Sequence, residues 1–111
     1  MAKYKAKVTR VIDGDTVEVY YTEEVEFLDF TVTLKSKPRR VRFKGVDTPE
    51  RHEEGYDEAT SFTRKFCLGK DVEIEVFGKD SFGRDLGHVY VNGININDEL
   101  LSKDLARIWV D

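Results

Sequence analysis

The run VTRVIDGDTVEVY, Val8 to Tyr20, decides how the rest of the chain is read. Val8 to Ile12 and Thr16 to Tyr20 are rich in β-branched residues and flank Asp13-Gly14-Asp15. Asp-Gly between two such runs predicts a hairpin. Outward from it the period of two continues. Leu28, Phe30, Val32 and Leu34 alternate with Asp29, Thr31, Thr33 and Lys35, a strand with one apolar face. The span from Tyr20 to Leu34 is longer than a minimal strand pair needs, which predicts an extended hairpin. Beyond Pro38, Val41 and Phe43 alternate with Arg40, Arg42 and Lys44, so Arg42 belongs to the face opposite the core residues.

The period then changes. Ala59, Phe62 and Phe66 follow helical spacing between about Tyr56 and Leu68, and Gly69 stands where a helix C-terminus is expected. Strand character returns at Val72, Ile74 and Val76. A turn-like stretch from Gly78 to Gly83 leads into Leu86 to Val91, and Asn92-Gly93 is a second tight-turn signal. The tail from Asn97 reads as a short helix with Asn97 as its N-cap and Ile96 and Leu101 as a hydrophobic staple. Ile108 to Val110 reads as a terminal strand or extended tail. Five or six strands with a mid-chain and a closing helix make a β-rich α+β domain, and a small barrel closes that many short strands naturally. With no repeat or linker in its 111 residues, the chain is expected to be one domain, 1–111.

Composition bounds the function. Lys plus Arg is 18 and Asp plus Glu is 22, a net charge of −4, the wrong overall sign for a protein that simply coats nucleic acid. The distribution says more. Lys35 to Lys44 holds six bases and no acid, whereas Glu50 to Glu58 is acidic. A positive stripe beside a carboxylate cluster suits a metal-assisted site for an anionic substrate. Cys67 is the single cysteine, which excludes an internal disulfide, and it falls on the apolar stripe of the helix, a core position. His52 and His88 lack the spacing of zinc ligands. The opening Met-Ala-Lys carries no signal peptide or membrane span. A cytoplasmic monomer without membrane association is expected, or a secreted one if a leader was removed.

Three segments could carry chemistry: Val11 to Thr16, Arg42 to Glu50, and Asp80 to Arg84. Each has an ordinary explanation alone. Asp-Gly-Asp is a turn; Asp47-Thr48-Pro49-Glu50 has the pattern of a helix start; Phe82-Gly83-Arg84 is a turn with a solvated arginine. Taken in order, with the helix Glu58 to Thr63 and the late Asn97 to Leu101 and Leu105-Ala106 segments, they resemble the staphylococcal nuclease-like (thermonuclease) family from about Lys7 to Ala106.

The resemblance implies a five-stranded OB-type Greek-key barrel with an extended hairpin and two to three packed helices. It further implies a calcium-dependent nuclease cleaving DNA or RNA to a 3′-phosphate and a 5′-hydroxyl. Asp15 and Asp47 would hold Ca2+ with the carbonyl of Thr48. Arg42 and Arg84 would bind phosphate, and Glu50 would be the catalytic glutamate. These residue types suit the reaction. A hard dication takes oxygen ligands and keeps positions open for water. An arginine fork donates two hydrogen bonds to phosphoryl oxygens at any working pH. Glu50, three residues from Asp47, can serve as general base or orient the attacking water. The alternative is a non-catalytic OB-type module that binds nucleic acid or protein. The pattern departs from the family at the short acidic segment Arg51 to Gly55, at Ser81-Phe82, and at the end of the chain, where a late tyrosine has no counterpart. These departures bear on affinity and nucleotide recognition.

Overall fold

The computed structural model describes residues 2–110. Strands β1 (Ala2–Asp13) and β2 (Thr16–Phe27) form the expected first hairpin, followed by β3 (Phe30–Lys35), β4 (Arg39–Phe43) and β5 (Val46–Asp47). Helix α1 (Tyr56–Cys67) comes next, then β6 (Asp71–Lys79), β7 (Asp85–Val91), β8 (Ile94–Asn95), α2 (Ile96–Ser102) and β9 (Arg107–Ile108).

Hydrogen bonding runs β1-β6-β7-β4-β2 and returns from β2 to β1, closing a five-stranded barrel. Every pairing in the ring is antiparallel except β4 with β7. Closure leaves the ring without a free edge. This is the β-rich α+β barrel expected from the pattern and the OB-type fold that the resemblance implies, with two helices among the described residues. Val8, Val17, Val19, Val41, Phe43, Ile74 and Val89 fill the interior with no solvent exposure. Cys67 lies in the same core, as its position on the helix stripe predicts.

The two predicted tight turns differ in kind. Asn92 and Gly93 both hold positive φ, 50° and 81°, the conformation a two-residue hairpin favours. The Gly14-Asp15 turn joins Asp13 to Thr16 with no positive φ, and β1 is bulged between Val8 and Arg10 and again between Val11 and Asp13. Gly14 is needed for a different reason. A Cβ there would come within 3.0 Å of both Ala59 and Thr48 side chains, and Thr63 Oγ1 donates 2.6 Å to the Gly14 carbonyl. The helix therefore lies directly on the turn that carries Asp15.

Helix α1 begins at Tyr56, as its spacing predicts, after a left-handed Gly55 with no side-chain cap. Residues 48–50 are irregular, so the helix-start pattern at Asp47 is not used as one, and the Thr48 amide is instead taken by Asp15 Oδ2 at 3.0 Å. One local expectation is corrected. Asn97 is not an N-cap. Asn95 caps α2 by accepting from the Asp98 amide, and Asn97 is buried inside the helix. The expected extended hairpin is present: β2 runs past the barrel wall and pairs with β3 alone from Glu23–Leu34 to Phe27–Phe30. That projection gives the molecule its elongated extents of 54 × 27 × 22 Å.

Candidate active-site groove

At the end of the barrel opposite the projecting hairpin lies a groove of about 1120 Å³. Asp15, Arg42, Asp47, Thr48, Glu50 and Arg84 all line it. They come from four pieces of chain, and the fold explains each position. Asp15 leads into β2, and Thr16 pairs with Arg42 on β4, which brings the first two motifs side by side. Val46 and Asp47 are held by β9, where Asp47 pairs with Arg107. Arg84 immediately precedes β7, the strand parallel to β4.

Asp15 is buried and fully engaged. Its Oδ1 accepts from Thr16 Oγ1 at 3.0 Å, its Oδ2 accepts from the Thr48 amide at 3.0 Å, and Arg42 Nη1 lies 3.4 Å from Oδ2. Arg42, with 13% of its side chain exposed, braces the loop after β4. Its Nη1 donates to the carbonyls of Phe43 and Val46 at 2.9 and 2.8 Å, and its Nη2 stands 3.6 Å from Asp47. Arg107 also contacts Asp47, through Nε at 3.0 Å and Nη2 at 2.9 Å. Two carboxylates thus address two guanidiniums, and both carboxylates face Arg42.

Arg42 and Arg84 are not equivalent. Arg84 is tied at one end only. Its Nε donates 2.7 Å to Asp80 Oδ2, while Asp80 Oδ1 accepts from the amides of Phe82 and Arg84, each at 2.9 Å. Among the described residues no partner takes the outer nitrogens of Arg84, so its forked end is presented to the groove. The Phe82 ring, 81% exposed, lies 5.2 Å from the guanidinium. Burial opposes ionisation of Asp80, but the hydrogen bonds from Arg84 and Phe82 outweigh it and hold the carboxyl below its ordinary range. Glu50 is exposed on the groove rim. Its amide donates to Glu53 Oε1 at 2.6 Å and its carbonyl accepts from the Glu53 amide at 2.9 Å, so Glu53 closes the turn that carries it.

The donor set fits a hard dication in kind. Asp15 and Asp47 offer carboxylate oxygens toward one shared position of positive charge, and the buried Thr48 Oγ1 has no partner. Among the described residues no three His, Cys, Asp or Glu side chains form a closed cage. Ligation with few protein groups and several waters is the form open to this set.

The basic stripe is divided by the fold. Arg42 enters the groove, but Arg39 pairs with the buried Asp85 at 2.7 Å, Lys35 lies over Tyr20 and Lys44 over Phe77. Sequence reasoning did not single out Asp80 as the anchor of Arg84, nor Arg107 and Trp109 as groove walls. For Asp80 the signal was available, since Asp followed by Gly at the fourth position is an Asx-type turn. For Arg107 there was none, because its partner is 60 residues away.

A closed OB-type barrel thus carries paired carboxylates and arginines in one groove at its end. Residues 40–110 match the family model for staphylococcal nuclease homologues. An "Uncharacterized endonuclease" of Escherichia coli is 31% identical over 97% of this chain and 63% of its own length. The "Probable endonuclease LCL3" of Komagataella phaffii is 32% identical over 93% of this chain and 54% of its own. The "Uncharacterized protein MJ1439" of Methanocaldococcus jannaschii is 31% identical, over 96% and 60%. The chain belongs to the staphylococcal nuclease homologue family. It spans between about half and two thirds of the length of these relatives. Asp15 precedes the matched residues, and its place in the groove comes from the β2–β4 register.

Proposed function

We propose that this chain is a calcium-dependent nuclease domain that hydrolyses DNA or RNA to a 3′-phosphate and a 5′-hydroxyl. The observation that carries the reading is one groove lined by Asp15, Arg42, Asp47, Thr48, Glu50 and Arg84. Family membership and two relatives named as endonucleases support it. The whole of residues 1–111 is taken as a single such domain.

Asp15 and Asp47, with the Thr48 carbonyl, would hold the ion, which when bound neutralises the phosphate and lowers the barrier to water attack. The chain's own residues do the rest. Arg84 donates its free fork to two phosphoryl oxygens and stabilises the charge they gain as water adds. Arg42, braced by two carbonyls, supplies fixed positive charge rather than a free fork. Glu50 orients water and accepts its proton as the new P–O bond forms. The P–O5′ bond breaks, and the leaving oxygen takes a proton from water, because an arginine with a pKa above about 12 is a poor acid.

The test uses single-stranded DNA, duplex DNA and RNA, with calcium and then with chelator, alongside Glu50→Gln and Arg84→Ala. Cleavage should require calcium and fall by about 10² or more in each variant. Equal cleavage in chelator or in the variants refutes the mechanism. Binding without cleavage of any substrate favours the non-catalytic OB-type module.

A further inference from the structure

One edge of the Arg84 guanidinium is tied to a carboxylate through Nε, and its outer nitrogens are left to the groove. Arg107 repeats this arrangement. Its Nε and Nη2 both rest on Asp47 Oδ2, at 3.0 and 2.9 Å, and among the described residues no partner takes Nη1. The side chain is 77% exposed and lines the same groove. Arg42 is held the other way. Its Nη1 donates to the carbonyls of Phe43 and Val46 and faces Asp15, and the side chain is largely buried. An arginine tethered along one edge is aimed without being used up, since its free nitrogen still donates. By that criterion two arginines stand ready for an anion, Arg84 and Arg107.

The fold sets where Arg107 points. Asp47 and Arg107 face each other across the β5–β9 pair, and Trp109, two residues on along the chain, also lines the groove. The Asp47 carboxylate separates the arginines, with Oδ1 toward Arg42 at 3.6 Å and Oδ2 toward Arg107. Arg107 therefore stands one carboxylate's width out from Asp15 and Arg42, at the rim. Beyond it lies a smaller cleft of about 450 Å³ whose other ionisable walls are all acids: Asp47, Glu53, Glu54 and Asp104. The groove balances five bases against five acids among the described residues, whereas the cleft sets four acids against Arg107 alone. An anion meeting Arg107 is repelled from the cleft and kept on the groove side.

We propose that Arg107 binds a backbone phosphate flanking the one that is cut, so that the groove selects a strand with at least two phosphates over an isolated phosphodiester. The inference rests on the reading of this groove as a phosphodiester site. Arg84 meets the phosphate that reacts, and Arg107, at the rim, meets the next one out. Arg107 is thus a binding residue that adds affinity for a chain and takes no part in the attack of water. Exposed as it is, it acts as one salt-screened phosphate contact.

The test separates strand binding from cutting. Affinity for a single-stranded oligonucleotide is read by fluorescence anisotropy across a salt series, on Glu50→Gln protein with calcium. Adding Arg107→Gln should flatten the slope of log affinity against log salt by about 0.7, the loss of one contact to a single strand, which is about fivefold in affinity at about 0.1 M salt. Adding Arg107→Lys instead keeps the charge and should keep the slope. With Glu50 native, Arg107→Gln should raise KM about fivefold on the oligonucleotide with kcat constant. It should change neither on a dinucleoside monophosphate, which has one phosphodiester and no second phosphate. An unchanged slope in Arg107→Gln overturns the proposal. So does a loss of kcat shared by both substrates, which would make Arg107 a support of Asp47. If the wild type cuts nothing while the slope changes as expected, the nuclease reading fails and this proposal stands; if no strand binds, both fail.

Discussion

Asn97 offers the sharpest test of how the groove is held. It is 1% exposed, and its side chain makes three hydrogen bonds between distant segments. Oδ1 accepts from the Val89 amide at 3.1 Å, and Nδ2 donates to the carbonyls of Lys44 and Gly87 at 2.9 and 3.1 Å. The Gly87 carbonyl also receives the Lys44 amide, so its loss is cheap. The Val89 amide and the Lys44 carbonyl lose a buried partner. At about 1–3 kcal/mol for each stranded group, Asn97→Ala should cost about 3–4 kcal/mol. Asn97→Asp keeps the volume but turns two donors into acceptors facing carbonyls, so it should cost at least as much. Urea unfolding followed by tryptophan fluorescence measures both, with the midpoint falling at constant slope. For a chain of this size the melting temperature should fall by roughly 15–25 °C. A cost below about 1 kcal/mol in either variant would refute the reasoning.

Asp80→Asn should remove the acceptor of Arg84 Nε while leaving the turn's other carbonyl oxygen in place; turnover should fall about tenfold with KM nearly constant, against little loss of stability. Because the Asp80 carboxyl is held below its ordinary range, wild-type stability from this contact should be full above about pH 4 and decline as the pH drops through the folded-state value; Asp80→Asn should lack that component of the acid transition. Gly14→Ala should cost about 1–3 kcal/mol and push α1 from the Asp15 turn, since the new methyl meets Ala59 and Thr48 at 3.0 Å; differential scanning calorimetry reads the loss. Burial pushes the Cys67 thiol up to about 12, so a thiol reagent at pH 8 should label it only as fast as the protein unfolds, and its contribution to stability should be lost as pH rises from about 9 toward 12.

The sequence carried most of the barrel because alternation there is a local property. Val17 and Val19, or Val41 and Phe43, announce an inner face wherever the partner strand lies. The helix Tyr56–Cys67 was legible for the same reason. The Asn97 misreading has a physical source: Asn95-Ile96-Asn97 offers two capping residues two positions apart. The choice is made by nonlocal groups, the Lys44 and Gly87 carbonyls and the Val89 amide, which no local pattern names. The helix-start pattern at Asp47 is likewise left unused, since the Thr48 amide is taken by Asp15, 33 residues earlier. The residues lining the groove were legible as motifs. Their unequal bonding was not, because the braced Arg42 and the free-ended Arg84 differ only in what surrounds them.

The β5–β9 pair, Val46 with Ile108 and Asp47 with Arg107, forms a sheet of its own apart from the barrel ring. Its exchange with solvent is therefore governed by a different free energy from that of the core. Amides of Asp47 and Trp109, the latter bonded to the Gly45 carbonyl, open when this two-rung ladder frays, while Val19 and Val89 wait for the ring to come apart. The groove is thus expected to keep its ring-built wall as long as the fold lasts, while the exposed β9 side, residues 107–109, opens sooner. An anion spanning both would slow deuterium uptake at residues 46–47 and 107–109 and leave the barrel amides unchanged.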